Sequence, residues 1–222
     1  MLNSRTTVAS VITCATILFA LNTFVHHAAA DNASDGYKIA NERRCLLCHN
    51  PSGENDHPKA PYLAGQKKKY LIQQLNRFRK LKPVKSDMKK IAERHHYFMD
   101  KHIQTMSPKE LNKIAEYFSD FKCIPIRSNA VKQLPAPAKT KNCAFCHGQY
   151  GINPYTTYPN IAGQKKIYLI EQLIAFRDSA LHGSTDNQKD KRFHRMMAPT
   201  AIDLSNKDIE DIADYYSKQS CE

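Results

Sequence analysis

The chain has 222 residues, of which 24% are charged and 41% hydrophobic, so its composition is that of an ordinary globular protein. Seven glycines and no tryptophan disfavour an all-β sandwich, and the length accommodates one large or two small domains. The net charge of +12 favours an acidic protein partner or an anionic membrane surface. It does not indicate nucleic-acid binding, because the basic residues form no recognisable nucleic-acid-binding motif.

Residues 1–30 have the features of a secretory signal peptide. Arg5 precedes an apolar run from Val8 to Val25, and three alanines, residues 28–30, precede Asp31. The alternative is an uncleaved anchor, for which the run is at the short limit of the roughly 17 to 25 residues that span a bilayer. We therefore expect cleavage, with loss of Cys14, and a periplasmic mature protein in an oxidising compartment.

Two pentapeptides have the pattern Cys-x-x-Cys-His, which is the spacing of a c-type haem attachment site. They are Cys45-Leu46-Leu47-Cys48-His49 and Cys143-Ala144-Phe145-Cys146-His147. In such a site each thiol forms a thioether bond to a haem vinyl group, and the histidine is the proximal ligand of the iron. A zinc site is disfavoured, because structural zinc takes four protein ligands at paired spacings. The sequence therefore predicts two covalently attached haem c groups.

Both motifs belong to an internal repeat with an offset of 98 residues. The same offset relates Pro61–Lys68 to Pro159–Lys166, Tyr70–Leu75 to Tyr168–Leu173, Ile114–Tyr117 to Ile212–Tyr215, and Cys123 to Cys221. The repeat predicts two copies of one fold, residues 31–124 and 138–222. Three prolines mark residues 125–137 as a linker, because proline interrupts helices.

The periodicity within each copy is helical, so we predict an all-α fold. Apolar residues from Tyr70 to Phe78 lie on one helix face. Ser107 followed by Pro108 and Glu110 is a helix start, and Ser205 with Asp208 repeats it in the second copy. The second copy has Pro135-Ala136-Pro137 where the first has its opening helix, so we expect that helix to be shortened or displaced.

The repeat also indicates a candidate for the second axial ligand of each iron. Met99 and Met197 each lie 54 positions after the first haem cysteine of their copy. Methionine opposite histidine suits electron transfer, whereas an open iron face suits chemistry on a small molecule. The alternatives are two core methionines, or ligation by His96 and His194, which the same offset relates.

Two further methionines are expected to pack rather than to bind iron. Met106 aligns with Leu204, which indicates a core position, and Met196 aligns with Phe98, which indicates a packing position.

Cys123 and Cys221 remain after the leader and haem cysteines are counted. An even pair in an oxidising compartment suggests a disulfide. Two free buried thiols are the alternative, since bridging needs Cα atoms within roughly 7 Å.

Basic residues concentrate in the first copy. Lys67, Lys68 and Lys69 are followed by seven lysines and arginines between Arg77 and Lys90. Most of these indicate a solvated helix face. The functional alternative for this basic face is a docking surface that steers an acidic redox partner, or peripheral association with an anionic membrane.

Taken together, these motifs resemble the dihaem cytochrome c4 family over essentially the whole mature chain. The resemblance is carried by C-x-x-C-H, P-x-x-A-G-Q and a methionine before a capped last helix, each present twice. It implies two cytochrome c domains about a pseudo-twofold axis, and periplasmic electron delivery towards a terminal oxidase. It also implies that the carbonyls of Pro61 and Pro159 orient the proximal imidazoles. Three features depart from the family pattern: Met106-Ser107 in place of Leu-Ser, the incomplete opening helix of the second copy, and the cysteine that ends each domain.

The sequence therefore predicts an electron carrier and not an enzyme. Its expected donor is a quinol-oxidising complex or a dehydrogenase, and its expected acceptor a terminal oxidase. The alternatives are a haem enzyme, such as a peroxidase or a sulfur-compound dehydrogenase, and a cytochrome subunit of a larger dehydrogenase complex.

Overall fold

Helices form in both copies where apolar residues recur at helical spacing and a side chain caps the first turn. A computed structural model describes residues 35–79, 94–123, 135–182 and 190–221. The predicted signal peptide (1–30), most of the linker (125–137) and basic residues 80–90 lie outside these ranges. No helix of the described ranges is long and apolar enough to cross a membrane.

The first copy contains five helices and one short strand in its described part. Helix α1 covers residues 35–42, and α2 (Leu46–His49), α3 (Lys68–Phe78), β1 (Arg94–His96), α4 (Tyr97–Ile103) and α5 (Pro108–Ser119) follow. The second copy contains α6 (Thr140–His147), α7 (Lys166–His182), β2 (Asp190–Arg192), α8 (Met197–Ala201) and α9 (Asn206–Ser217). The predicted helical fold in two similar units is confirmed, and the two three-residue strands add a small ribbon.

The last helix of each copy begins where the sequence predicts. The Ser107 side chain accepts a hydrogen bond from the backbone N–H of Glu110, and the Glu110 carboxylate accepts one from the backbone N–H of Ser107. Ser205 and Asp208 make the same two bonds at the start of α9. Each pair satisfies two N–H groups that a helix start otherwise leaves without a partner.

Each copy has its own hydrophobic core, in which α3 packs on α5 or α7 packs on α9. Equivalent residues fill the two cores: Leu71, Phe78, Leu111, Ile114 and Phe118 in the first, and Leu169, Phe176, Ile209, Ile212 and Tyr216 in the second. Met106 and Leu204 are both buried, as predicted. Met196 is 51% exposed, so the expectation that it packs is wrong.

The opening helix of the second copy is displaced, as the prolines predict. Residues 135–139 contain no helix, and α6 begins at Thr140, which is equivalent to Glu42 near the end of α1. The helix therefore runs directly into the Cys-x-x-Cys-His motif, whereas in the first copy a turn at residues 43–45 separates α1 from α2.

The two copies face each other about a pseudo-twofold axis. Strand β1 pairs antiparallel with β2, and Arg94 lies opposite its own equivalent, Arg192. A second pair of equivalent residues, Cys123 and Cys221, forms a disulfide with Cα atoms 6.1 Å apart. Because two pairs of equivalent residues meet, the axis passes through both contacts. Of the two alternatives for the spare cysteines, the structure selects the disulfide.

Candidate haem sites

The proximal histidines end the short helices that carry the paired cysteines. The Nδ1 atom of His49 lies 3.4 Å from the carbonyl oxygen of Pro61, and that of His147 lies 3.1 Å from the carbonyl oxygen of Pro159. A carbonyl oxygen can only accept, so Nδ1 carries the proton in each ring. The Nε2 lone pair of each imidazole is then left for a metal, with its ring orientation held by the backbone.

Both imidazoles are neutral in the folded protein. Burial lowers the pKa of His49 to about 4, although the hydrogen bond to Pro61 acts in the opposite direction. Burial also lowers the pKa of His147. Neutral imidazole is the form that binds a metal ion, so no proton has to be displaced at neutral pH.

Glycines bring the proline carbonyls within reach of the histidines. Gly53 and Gly151 have φ angles of +76° and +85°, and a Cβ on either would lie 2.7 Å from the backbone nitrogen of Ala64 or Ala162. The loop after each motif therefore lies directly against the loop that supplies the proline, an approach open only to glycine.

All eight predicted site residues line one continuous cavity of about 1240 Å³ that extends across both copies. They are Cys45, Cys48, His49 and Met99 in the first copy, and Cys143, Cys146, His147 and Met197 in the second. Burial raises the pKa of Cys45 and Cys143 to about 11, so these thiols are not activated as free nucleophiles. Two thiols, a neutral imidazole and a thioether per copy are the donor set that a covalently attached haem requires.

The structure places both kinds of candidate for the second axial position at the cavity wall. Met99 on α4 and Met197 at the start of α8 are partly buried against the two cores. His96 and His194 line the same cavity. The Nδ1 atom of His194 accepts a hydrogen bond from the backbone N–H of Met196 at 3.3 Å. Burial, followed by nearby arginines, lowers the pKa of His194 to about 4.

Two equivalent glutamines join the copies. The side-chain amide of Gln66 donates to the carbonyl oxygen of Asn160 at 2.8 Å and accepts from its N–H at 3.0 Å. Gln164 makes the same pair with the backbone of Tyr62, at 3.0 and 2.9 Å. Each buried amide is thereby satisfied by the opposite copy, which fixes the two units at one separation.

The neighbouring lysines also reach across the interface. Lys67 donates to the carbonyl oxygens of Asn153 and Tyr155. Lys165 donates to Asn55 Oδ1 and to the carbonyl oxygen of His57, both at 2.6 Å. Lys67 is thus part of the interface, and of the three lysines at 67–69 only Lys69 is exposed.

The sequence interpretation missed two arginines. Arg94 donates to the Tyr168 hydroxyl and Arg192 to the Tyr70 hydroxyl, both at 2.9 Å, so each contacts the opposite copy. Their side chains line the cavity. The 98-residue offset relates them, and that signal could have found them.

The fold and the two candidate haem sites define the class of protein to which this chain belongs. The cytochrome c family model matches residues 33–121 and 136–219. Each matched range contains one Cys-x-x-Cys-His motif, so the class is a c-type cytochrome with two domains.

Similarity to individual proteins shows which family of c-type cytochromes the chain resembles most fully. The chain is 32% identical to cytochrome c4 from Azotobacter vinelandii over 216 residues. These aligned residues cover 90% of this chain and 95% of that protein. The structure of reduced cytochrome c4 from Pseudomonas stutzeri superposes with a TM-score of 0.62 at 26% identity, covering 84% of this chain and 98% of that chain. A thiosulfate dehydrogenase electron acceptor from Thiomonas intermedia is 36% identical over 84 residues, which are 37% of this chain and 34% of that protein.

The chain belongs to the dihaem cytochrome c4 family. It is an electron-transfer protein that carries two covalently bound haem c groups and has redox proteins as partners.

Proposed function

We propose that this cytochrome carries electrons in the periplasm between components of a respiratory chain and delivers them towards a terminal oxidase. The observation that carries the proposal is the single cavity that both haem sites share across the domain interface. A shared cavity lets an electron that enters at one domain leave from the other. The donor is a quinol-oxidising complex or a dehydrogenase.

We infer that Cys45, Cys48, His49 and Met99 hold the first haem. The second is held by Cys143, Cys146, His147 and Met197. When bound, each haem supplies a one-electron iron couple. The support for this ligand set is its position around the cavity, the repeat register of the methionines and the backbone carbonyls behind both imidazoles. With a histidine and a methionine on each iron no position is open to a substrate, which favours a carrier over an enzyme.

The proposed domain boundaries follow the repeat. Residues 1–30 are a cleaved signal peptide, residues 31–124 and 138–222 are the two cytochrome domains, and residues 125–137 connect them. The secretory features of the leader support the periplasmic location. The net charge of +12 supports steering towards an acidic partner or an anionic membrane face.

A second candidate concerns the electron donor. The similarity of part of the chain to a thiosulfate dehydrogenase electron acceptor favours a sulfur-compound dehydrogenase upstream of this cytochrome. This candidate retains the carrier role and changes only the protein that reduces it.

Reoxidation of the chemically reduced, purified protein by oxidase-containing membranes from its host tests the proposal. We expect rapid, cyanide-sensitive reoxidation whose rate falls as salt is added, because surface charge steers the encounter. As a control, the same protein is incubated with membranes in which the oxidase has been blocked beforehand. A rate no faster than in that control would contradict delivery to an oxidase. Reduction of the oxidised protein by a periplasmic extract supplied with thiosulfate, and not with quinol, would select the second donor.

A further inference from the structure

Two arginines lie where the pseudo-twofold axis passes through the wall of the haem cavity. Arg94 and Arg192 are opposite each other in the β1–β2 ribbon and both line the cavity. Arg192 is only 9% exposed. The guanidinium carbon of Arg94 lies 4.2 Å from the ring centre of Phe78, and that of Arg192 lies 4.4 Å from the ring centre of Phe176. The same arrangement is therefore built twice.

The protein supplies these two cations with neutral partners. Arg94 donates to the Gln74 amide oxygen at 2.7 Å and to the Tyr168 hydroxyl. Arg192 donates to the amide oxygen of Gln172, the equivalent of Gln74, and to the Tyr70 hydroxyl. Within the described ranges neither guanidinium forms an ion pair with a carboxylate, and the buried Nε of Arg192 has no hydrogen-bond acceptor.

The surroundings of the two arginines add further positive charge. The carboxylates of Glu171 and Asp178 also line the cavity, but they pair with Lys59 and Arg177. Arg77 also lines the cavity, and burial, together with the charges on Arg192 and Arg94, lowers the pKa of its guanidinium. Burial alone would raise the pKa of Tyr168, but the charges on Arg94 and Arg192 outweigh it and lower that pKa. Cations withdrawn from water without a carboxylate partner of their own are costly, so this part of the cavity is suited to a bound anion.

We propose that Arg94 and Arg192 bind the propionate carboxylates of the two haems, forming one anion site that both domains share. A guanidinium presents its N–H groups as a fork that matches a carboxylate, and its charge cannot be removed at physiological pH. The propionates are the carboxylates that the bound haems bring to this cavity. The proposal rests on haem binding and is independent of the direction in which electrons are delivered.

The shared site has a consequence for both redox centres. Fixed positive charge near a haem favours the reduced iron, which carries one positive charge less than the oxidised iron. Arg94 packs on Phe78 of its own domain and donates to Tyr168 of the other, so its charge acts on both sites. Each arginine should therefore raise the reduction potentials of both haems.

Spectroelectrochemical titration of the holoprotein tests this without any partner protein. We expect Arg94→Gln and Arg192→Gln each to lower the reduction equilibrium constants of both haems, by about tenfold for the haem more strongly affected, which is about 59 mV for one electron. Arg94→Lys and Arg192→Lys keep the charge and should retain most of the wild-type value. Wild-type potentials in both glutamine variants would overturn the proposal, as would equal losses in the lysine and glutamine variants.

Arg79→Gln is the matched control. Arg79 donates to the backbone carbonyl oxygen of Met106 at 3.0 Å, and it does not line the cavity. Its replacement should leave both potentials unchanged. A shift as large as that of Arg192→Gln would show that the potentials respond to any lost arginine, and would overturn a specific site.

A crystal structure of the haem-loaded protein gives a readout that does not depend on variants. We expect one propionate oxygen within about 3 Å of a guanidinium nitrogen of Arg94, and another within the same distance of a guanidinium nitrogen of Arg192. Propionates that point away from both arginines would overturn the proposal, even if the cytochrome still delivered electrons to an oxidase.

Discussion

Adjacent methionines differ in what their side chains contact. Met197 is partly buried against the second core, whereas Met196 is 51% exposed, although both line the cavity. In the first copy Met99 is at the equivalent position to Met197, and residue 98 is phenylalanine. Of the methionines that line the cavity, Met99 and Met197 are the two that the 98-residue offset relates.

Replacing these methionines tests the proposed ligands. We expect Met99→Leu and Met197→Leu each to remove about half of the near-infrared charge-transfer absorption that methionine–iron ligation gives, because leucine has similar volume and no donor atom. Met196→Leu is the matched control and should keep the whole band. Absence of the band from the wild type would instead favour His96 and His194, and an unchanged band in both Met99→Leu and Met197→Leu would point to another methionine at the cavity wall.

At the scale of elements, the capping box of α5 is joined to the chain segment before the first haem motif. The Nε atom of Arg43 donates to Glu110 Oε1 at 3.0 Å. The Ser107 backbone N–H, followed by the Arg43 guanidinium, lowers the pKa of the Glu110 carboxyl to about 2. Glu110 therefore caps the start of α5 and also forms a tertiary contact with Arg43. In the second copy, where Ser205 and Asp208 form the equivalent capping box of α9, the residue equivalent to Arg43 is Lys141.

Acid sensitivity should report this contact. Because the folded-state pKa of Glu110 is lowered, its stabilisation is present above about pH 4.5 and is lost as the pH falls towards 2. Glu110 has 24% of its side chain exposed, so we expect Glu110→Gln to lower the free energy of unfolding by only about 1–2 kcal/mol at pH 7. The difference from wild type should shrink on acidification, measured as Tm against pH.

Glu42→Gln is the control for this measurement, since Glu42 is an exposed glutamate on α1. A difference between Glu110→Gln and wild type that stays constant down to pH 2 would show that the lost contribution is not electrostatic.

The whole molecule is held by contacts between equivalent residues at two places. The β1–β2 ribbon with its arginines lies on one part of the pseudo-twofold axis, and the Cys123–Cys221 disulfide lies on another. The reciprocal glutamine pairs also join the domains. This arrangement keeps His49 and His147 at one shared cavity.

The disulfide should stabilise this arrangement because it closes a loop of 98 residues. Removing it with Cys123→Ser/Cys221→Ser should lower the free energy of unfolding by about 2–4 kcal/mol, mainly by freeing the unfolded chain. Thermal unfolding with and without a reductant measures the effect. Reductant should lower the Tm of the wild type to that of the double variant and leave the variant unchanged. A Tm of the wild type that does not respond to reductant would contradict the bond.

The sequence by itself determined the features that depend on local patterns. The haem motifs, the capped helices and the 98-residue repeat follow from spacing along the chain, because thioether attachment and helix periodicity act over a few residues. Pro135 and Pro137 likewise determined where the second copy loses its opening helix, since proline cannot continue a helix.

Only the tertiary structure decided what meets across the domain interface. The structure shows a Cys123–Cys221 disulfide where the sequence allowed two free thiols. It also shows that Lys67 lies in the interface rather than on a docking surface, and that Arg94 lies opposite Arg192. These contacts join residues about 90 or 100 positions apart. Their distances depend on how two packed units fit together, and a pattern within either unit does not contain that information.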